Sequence, residues 1–275
     1  RPADRALSDP ARSVLAEVDE AIPELRVALT WLADHAMAAD AGRLMIGLMD
    51  YGFLRVRPDV LAWADAALAA DPEDLGAAAP ALWAASAYAS WLAGDVTRAL
   101  ELVEHAMRVE APDGGKPAAR VRTMRGNIEL FEGRLSNAAE WYRQAVAAAA
   151  DDEAERTFSR ATELLALGYA GDVEVPGLAD ELIHDIGDAV TALNAYVWYC
   201  AGEADLTFDV ERARVRLVRA IELAEATNAS FVRGVAGASK ASIEAAIGDP
   251  EVAMADYRWV IEHWRRAGMW SAQWT

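Results

Sequence analysis

The sequence predicts an all-α protein, an α-solenoid of about six helix hairpins that stack into a superhelix and follow a few N-terminal helices. Three observations lead to this class. Ala-rich amphipathic segments of about 12 to 18 residues alternate with short breaks. Runs of β-branched residues with period two do not occur. Glycine and alanine recur at fixed offsets, which is typical of a repeat architecture.

Residues 1–40 are predicted to form helices that lead into the repeats. Asp9 and Pro10 offer an N-cap followed by proline at the first helical position. Pro23 lacks an amide hydrogen, and its ring clashes with the preceding helical turn. We therefore expect two helices here, 10–20 and 23–38.

One glycine followed by two small residues marks four of the predicted hairpins. Gly94, Ala99 and Ala106 stand at offsets of five and twelve. We expect the glycine to end the first helix in a left-handed conformation, and the small residues to let the two helices approach closely. The same pattern recurs in three further sets: Gly133, Ala138 and Ala145; Gly202, Ala213 and Ala220; and Gly248, Ala253 and Val260. Six residues are inserted after Gly202, and Val260 takes the place of the second alanine.

These offsets resemble those of the tetratricopeptide repeat, which has small residues at positions 8, 20 and 27. The resemblance implies a right-handed superhelix over residues 41–275. Arg55 takes the glycine position of the first unit, and Pro176 replaces a small residue in the fourth. The implied units begin near residues 41, 80, 119, 157, 188 and 234.

A second resemblance covers residues 17–69. The run Pro23-Glu24-Leu25-Arg26-Val27-Ala28-Leu29-Thr30-Trp31 resembles a motif that opens the helical repeat region of bacterial STAND-class ATPases, with Glu24 where that family usually has Asn. The class includes LuxR-type transcriptional regulators and adenylate-cyclase-like regulators. The phosphate-binding spacing G-x-x-x-x-G-K-[ST] does not occur in this sequence. The resemblance therefore implies a segment of a longer cytoplasmic regulator whose nucleotide-binding domain lies elsewhere.

Composition argues against several classes of partner. The chain has 44 acidic and 26 basic residues, a formal net charge of −18, which repels nucleic-acid phosphates and anionic lipid. Residues 75–94 carry no charge, but they are rich in alanine and contain Pro80, which favours a buried helix over a membrane span. The single cysteine, Cys200, favours a reducing compartment. We expect no nucleic-acid or membrane binding by this segment.

The sequence predicts no catalytic, metal or cofactor site. None of the four histidines has a second His or Cys three or four residues away, and no G-x-S-x-G or H-E-x-x-H motif occurs. Arg212, Arg216 and Arg219 share one helix face. Two interpretations of this basic stripe stay open: it docks other domains of the parent protein, or it pairs with acidic residues of this chain.

The inner face of the superhelix is the predicted binding site. Aromatic and Met side chains there suit a peptide or a moderately apolar small molecule, and Arg120 and Asn127 would anchor a carboxylate or an amide. The alternative is that a tightly wound superhelix fills the groove with its own side chains. Among the groove positions implied by the repeat, the candidate binding residues are Met49, Tyr88, Trp91, Arg120, Thr123, Asn127, Phe131, Tyr196 and Tyr199.

The sequence thus predicts a non-catalytic domain that senses a ligand and binds proteins within a larger transcriptional regulator, with a protein, a peptide or a small-molecule effector in its groove. A free-standing scaffold that joins two other proteins is the alternative. An enzyme with a site hidden in the groove is the third hypothesis, which predicts a cluster of perturbed titratable groups.

Overall fold

The computed structural model describes residues 12–70, residue 75, 79–109 and 114–269, and every regular element in these ranges is a helix. The predicted all-α class is confirmed for this part of the chain. Its fourteen helices are α1 (Arg12–Asp34), α2 (Ala38–Leu54), α3 (Pro58–Leu61), α4 (Trp63–Ala70), α5 (Ala79–Leu92), α6 (Val96–Val109), α7 (Lys116–Phe131), α8 (Leu135–Ala148), α9 (Glu153–Tyr169), α10 (Val175–Ile186), α11 (Ala192–Asp205), α12 (Val210–Thr227), α13 (Ser230–Ile247) and α14 (Pro250–Arg266).

The helices after α1 pack as six successive pairs: α2 with α3 and α4, α5 with α6, α7 with α8, α9 with α10, α11 with α12, and α13 with α14. The first helices of neighbouring pairs also contact each other in chain order. They form the interior, as α11 shows by burying nearly all of its residues. The second helices lie outside, and α6 buries only Ala99, Val103 and Ala106.

Helices near the end of the chain contact helices at its start. Helix α13 contacts α2, and α12 contacts α1. The ring of Phe53 in α2 lies 4.4 Å from that of Phe231 in α13, measured between centroids. The first and last pairs therefore meet, and the first helices surround a common interior.

The small residues act as the spacing predicts in the second and third pairs. Ala99 and Ala138 are fully buried between paired helices, while Gly94 and Gly133 follow α5 and α7 with φ of +86° and +76°. In α7, a Cβ on Gly126 would lie 2.5 Å from the ring of Tyr142. Glycine is thus needed there for the close approach of α7 and α8.

Two glycines depart from the predicted left-handed helix end. Gly202 lies inside α11, where a Cβ would come within 2.9 Å of Leu217, so it serves helix contact rather than termination. Gly248 follows α13 with φ of −103° and is not left-handed. In the first pair, Val56 rather than Arg55 takes the left-handed conformation, with φ of +55°.

The prediction of two N-terminal helices separated at Pro23 is wrong, because α1 runs without interruption from Arg12 to Asp34. Buried residues on both sides of the proline, Leu15 and Leu29, hold the helix in one line, so tertiary packing outweighs the lost hydrogen bond. The cap predicted at Asp9 and Pro10 lies outside the described residues.

Within residues 12–70, 79–109 and 114–269, helices are too short or too polar to traverse a lipid bilayer. Helix α5, which covers most of the uncharged stretch at 75–94, is buried in the protein core.

Candidate functional site

The interior contains a cavity of about 590 Å³, a size typical of small-molecule sites. None of the nineteen residues that line it carries a charged side chain. Nine are aromatic: Phe53, Tyr88, Trp91, Phe131, Tyr169, Tyr196, Tyr199, Phe231 and Trp264. The others are Leu92, Gly94, Val96, Asn127, Leu130, Thr162, Leu165, Val235, Ala238 and Met269.

Phe53, near the end of α2, is one of the aromatic residues that line the cavity. Its ring contacts four other rings, each from a different first helix, at centroid distances of 4.4 to 6.0 Å. These partners are Tyr88, Phe158, Tyr196 and Phe231. The protein therefore fills part of its interior with its own aromatic side chains and leaves the rest as the cavity.

The mouth of the cavity lies at the C-terminal ends of α5, α7 and α9. Phe131 and Tyr169, the last residues of α7 and α9, are 65% and 41% exposed, and Gly94 follows α5 at the same rim. The left-handed glycines after these helices turn the chain away at once, which leaves the rim open.

Asn127 places a polar group in the wall. Its amide nitrogen donates to the Tyr88 hydroxyl oxygen at 2.8 Å, and its amide oxygen accepts from the Tyr142 hydroxyl at 2.8 Å. Burial raises the pKa of Tyr88 to about 12, so this phenol keeps its proton at neutral pH. Because Tyr88 accepts from Asn127, its own hydroxyl hydrogen takes no part in this bond, and Tyr88 lines the cavity.

Glu203 lies behind the wall formed by α9, α11 and α13. Its carboxylate accepts a hydrogen bond from Tyr169 at 2.8 Å and another from Ser239. Burial raises the pKa of this carboxyl. Glu203 was not predicted from the sequence, although its place one helical turn after Tyr199 was a usable signal.

Six of the nine predicted groove residues line the cavity: Tyr88, Trp91, Asn127, Phe131, Tyr196 and Tyr199. The other three, Met49, Arg120 and Thr123, are buried elsewhere in the core. Thr123 and Arg120 lie nearer the start of α7 than Asn127, and neither lines the cavity.

Arg120 is engaged by two buried carboxylates. Its guanidinium lies 2.6 Å from Asp50 and 2.8 Å from Glu155, and it stacks on the Phe158 ring at 4.5 Å. Lys116 binds the second oxygen of Asp50. Arg120 therefore joins α2, α7 and α9, which leaves it unsuited to anchor a ligand.

The predicted basic stripe on α12 also pairs within the chain. Arg212 and Arg216 both contact the buried carboxylate of Asp205, and Arg219 pairs with Glu222. The geometry thus favours the intramolecular interpretation over a docking stripe.

Within the residues that the structure describes, no three His, Cys, Asp or Glu side chains cluster as metal ligands. Cys200 is a buried free thiol in α11. No protein-family model matches the chain, and comparison with curated proteins gave no match.

Proposed function

We propose that this chain is a ligand-binding repeat domain, in which tetratricopeptide-like hairpins form a tightly wound right-handed superhelix around a small molecule. The observation that carries this proposal is the uncharged, aromatic cavity of about 590 Å³. Sites for small organic ligands are concave, mostly apolar and supplied with a few polar groups. The polar residues of this wall include Tyr88, Asn127 and Thr162.

A compact ligand fits better than an extended peptide. Peptides that bind repeat proteins lie along a groove that is open from end to end. Here α13 contacts α2, and Phe231 packs against Phe53. Contact between the first and last pairs supports an enclosed site with a mouth at Phe131 and Tyr169.

The proposed role is that of a sensor. A ligand in the cavity touches side chains from α2, α5, α7, α9, α11 and α13, so it stabilises the arrangement in which the first and last pairs meet. A ligand that binds one arrangement more tightly shifts the protein towards it. The motif at Pro23–Trp31 supports the further proposal that the domain passes this change to other domains of a cytoplasmic STAND-type transcriptional regulator.

A protein-binding scaffold is the second candidate, and one surface favours it. On the outer side of α14, Met254 and Ile261 are about half exposed and lie on one helix face. In that case a partner protein would bind this face, and the cavity would have no ligand.

Binding of the neutral fluorescent probe N-phenyl-1-naphthylamine tests the leading proposal. We expect saturable binding to the wild-type protein and an affinity about ten-fold weaker or worse for Ala238→Phe, which puts a ring into the cavity. Ala147→Phe, on the exposed face of α8, is the matched control and should bind like the wild type. Equal binding by Ala238→Phe and the control, with both variants folded by circular dichroism, would contradict the proposal.

A further inference from the structure

Glu203 differs from the other buried carboxylates that the structure describes. Each of the others has an arginine or lysine nitrogen within 4.0 Å: Asp50, Glu129, Glu155, Asp205 and Glu244. Among the residues that the structure describes, the partners of Glu203 are two hydroxyl groups, those of Tyr169 and Ser239. A buried carboxylate without a positive partner is costly, so its presence points to a positive charge that arrives with a ligand.

The position of Glu203 brings it close to such a ligand. Tyr169, whose hydroxyl holds one carboxylate oxygen, lines the cavity. Tyr199, one helical turn earlier on α11, and Ala238, which precedes Ser239 on α13, also line it. The carboxylate is therefore separated from the cavity by one layer of side chains.

The aromatic wall of the cavity also favours a positively charged ligand. The faces of aromatic rings attract cations, and cages of such rings bind quaternary ammonium groups. Nine aromatic residues line this cavity, and none of the lining residues is charged. An anion would meet no positive side chain there, since the buried guanidinium of Arg120 is held by Asp50 and Glu155.

Two long-range electrostatic effects, one from the helix ends at the mouth and one from the net charge, also favour a positive ligand. Helices α5, α7 and α9 direct their C-terminal ends, which carry partial negative charge, towards the rim. The formal net charge of −18 attracts cations to the protein surface. Both effects favour the entry of a positive ligand over that of a negative one.

We infer that the ligand of this cavity is a lipophilic organic cation, held against the aromatic wall with the Glu203 carboxylate as its counter-charge. This inference rests on the proposed small-molecule site and specifies the class of its ligand. Tyr169 and Ser239 position the carboxylate, and the rings of Tyr169 and Tyr199 lie between it and the cation.

Two ions of equal shape and opposite charge, tetraphenylphosphonium and tetraphenylborate, test the inference by calorimetry. We expect the phosphonium to bind the wild type at least about ten times more tightly than the borate. Glu203→Gln keeps the shape of the side chain and removes its charge, so the affinity for the phosphonium should fall about ten-fold. Glu222→Gln, on the exposed side of α12, makes the same change in net charge and should bind like the wild type.

The possible failures are distinguishable. Equal affinity of the wild type for the two ions would contradict the role of Glu203 as the counter-charge. An unchanged phosphonium affinity in Glu203→Gln would contradict it as well. If N-phenyl-1-naphthylamine still binds in either case, the cavity remains a small-molecule site of another class. If neither ion nor the neutral probe binds, both the inference and the proposed function fail. The comparison of ions in the wild type does not depend on the folding of any variant.

Discussion

Arg55, which follows the last residue of α2, donates a hydrogen bond to the backbone carbonyl of Asn228, 173 residues further along the chain. Its guanidinium also lies 2.8 Å from the carboxylate of Asp19 in α1. One side chain thus joins α1 and α2 to the turn that precedes α13. These contacts hold the first and last helix pairs together at the edge of the interior.

The first prediction concerns this connection. Arg55→Ala should lower the free energy of unfolding by about 1–3 kcal/mol, because it leaves a carbonyl and a carboxylate without their charged donor. Hydrogen exchange should accelerate at the first amides of α13, far from the substitution in sequence. Arg43→Ala is the control, since Arg43 is exposed and pairs with Asp40 of its own helix. An equal response of the two variants would show that Arg55 does not join the pairs.

A second prediction follows from the buried charges around Arg120. Burial raises the pKa of Glu155 to about 7, since the lost hydration outweighs the attraction of Arg120, which is shared with Asp50. In the unfolded chain the pKa of glutamate is 4.5. Between these values the folded protein holds a proton that the unfolded chain lacks, so stability falls as the pH rises towards 7.

Glu155→Gln removes this contribution. Between about pH 5 and pH 7.5, the wild type should lose about 1–3 kcal/mol more of its unfolding free energy than the variant does. His263, whose pKa burial lowers, contributes with the opposite sign in both proteins and cancels in the comparison. Glu153→Gln, an exposed neighbour on α9, should follow the wild type. Parallel pH profiles for wild type and Glu155→Gln in urea unfolding would refute the assignment.

A third prediction concerns the close approach of α7 and α8. Gly126→Ala places a methyl group 2.5 Å from the buried ring of Tyr142, so it should lower the unfolding free energy by about 1–3 kcal/mol. Gly177→Ala makes the same change in α10, where nothing lies within 4 Å of the added carbon. It should stabilise the protein by up to about 1 kcal/mol. Thermal or urea unfolding of the two variants should give shifts of opposite sign, and two shifts in one direction would refute the packing argument.

The sequence predicted the hairpins because the constraint that sets them is local. Ala99 and Ala106 must be small wherever two helices meet closely, and left-handed turns such as that at Gly94 favour glycine, so both appear as a spacing. The prediction of a helix break at Pro23 was wrong, because helix α1 is held by packing against elements that are distant in sequence. Gly202 shows a further limit, since a glycine that ends a helix and one that admits a neighbouring helix look alike in sequence.

Part of the candidate site could be predicted because its residues also follow the local spacing of the repeat. Repeat positions located Tyr88, Asn127 and Tyr196 in the interior, because each first helix presents equivalent faces. They could not show that Arg120 is neutralised by Asp50, which lies 70 residues away. The lack of a positive partner at Glu203 is a property of the folded interior, with no trace in the neighbouring sequence.

A fourth prediction isolates the hydrogen bond between Asn127 and Tyr142. Asn127→Leu leaves the fully buried Tyr142 hydroxyl without its acceptor, so it should lower the unfolding free energy by about 1–3 kcal/mol. Tyr142→Phe leaves the Asn127 oxygen without its donor and should cost about 1 kcal/mol. In the double variant neither group is left unpaired, since both polar partners are absent.

The double variant should therefore lose less stability than the sum of the two single losses, by about 0.5–1.5 kcal/mol. Urea unfolding of all four proteins completes this cycle, and equal denaturant slopes would show that the unfolded states are comparable. Additive losses, within about 0.3 kcal/mol, would mean that the two side chains do not act as a unit. Asn127 would then orient the Tyr88 hydroxyl in the cavity wall without support from the outer helix α8.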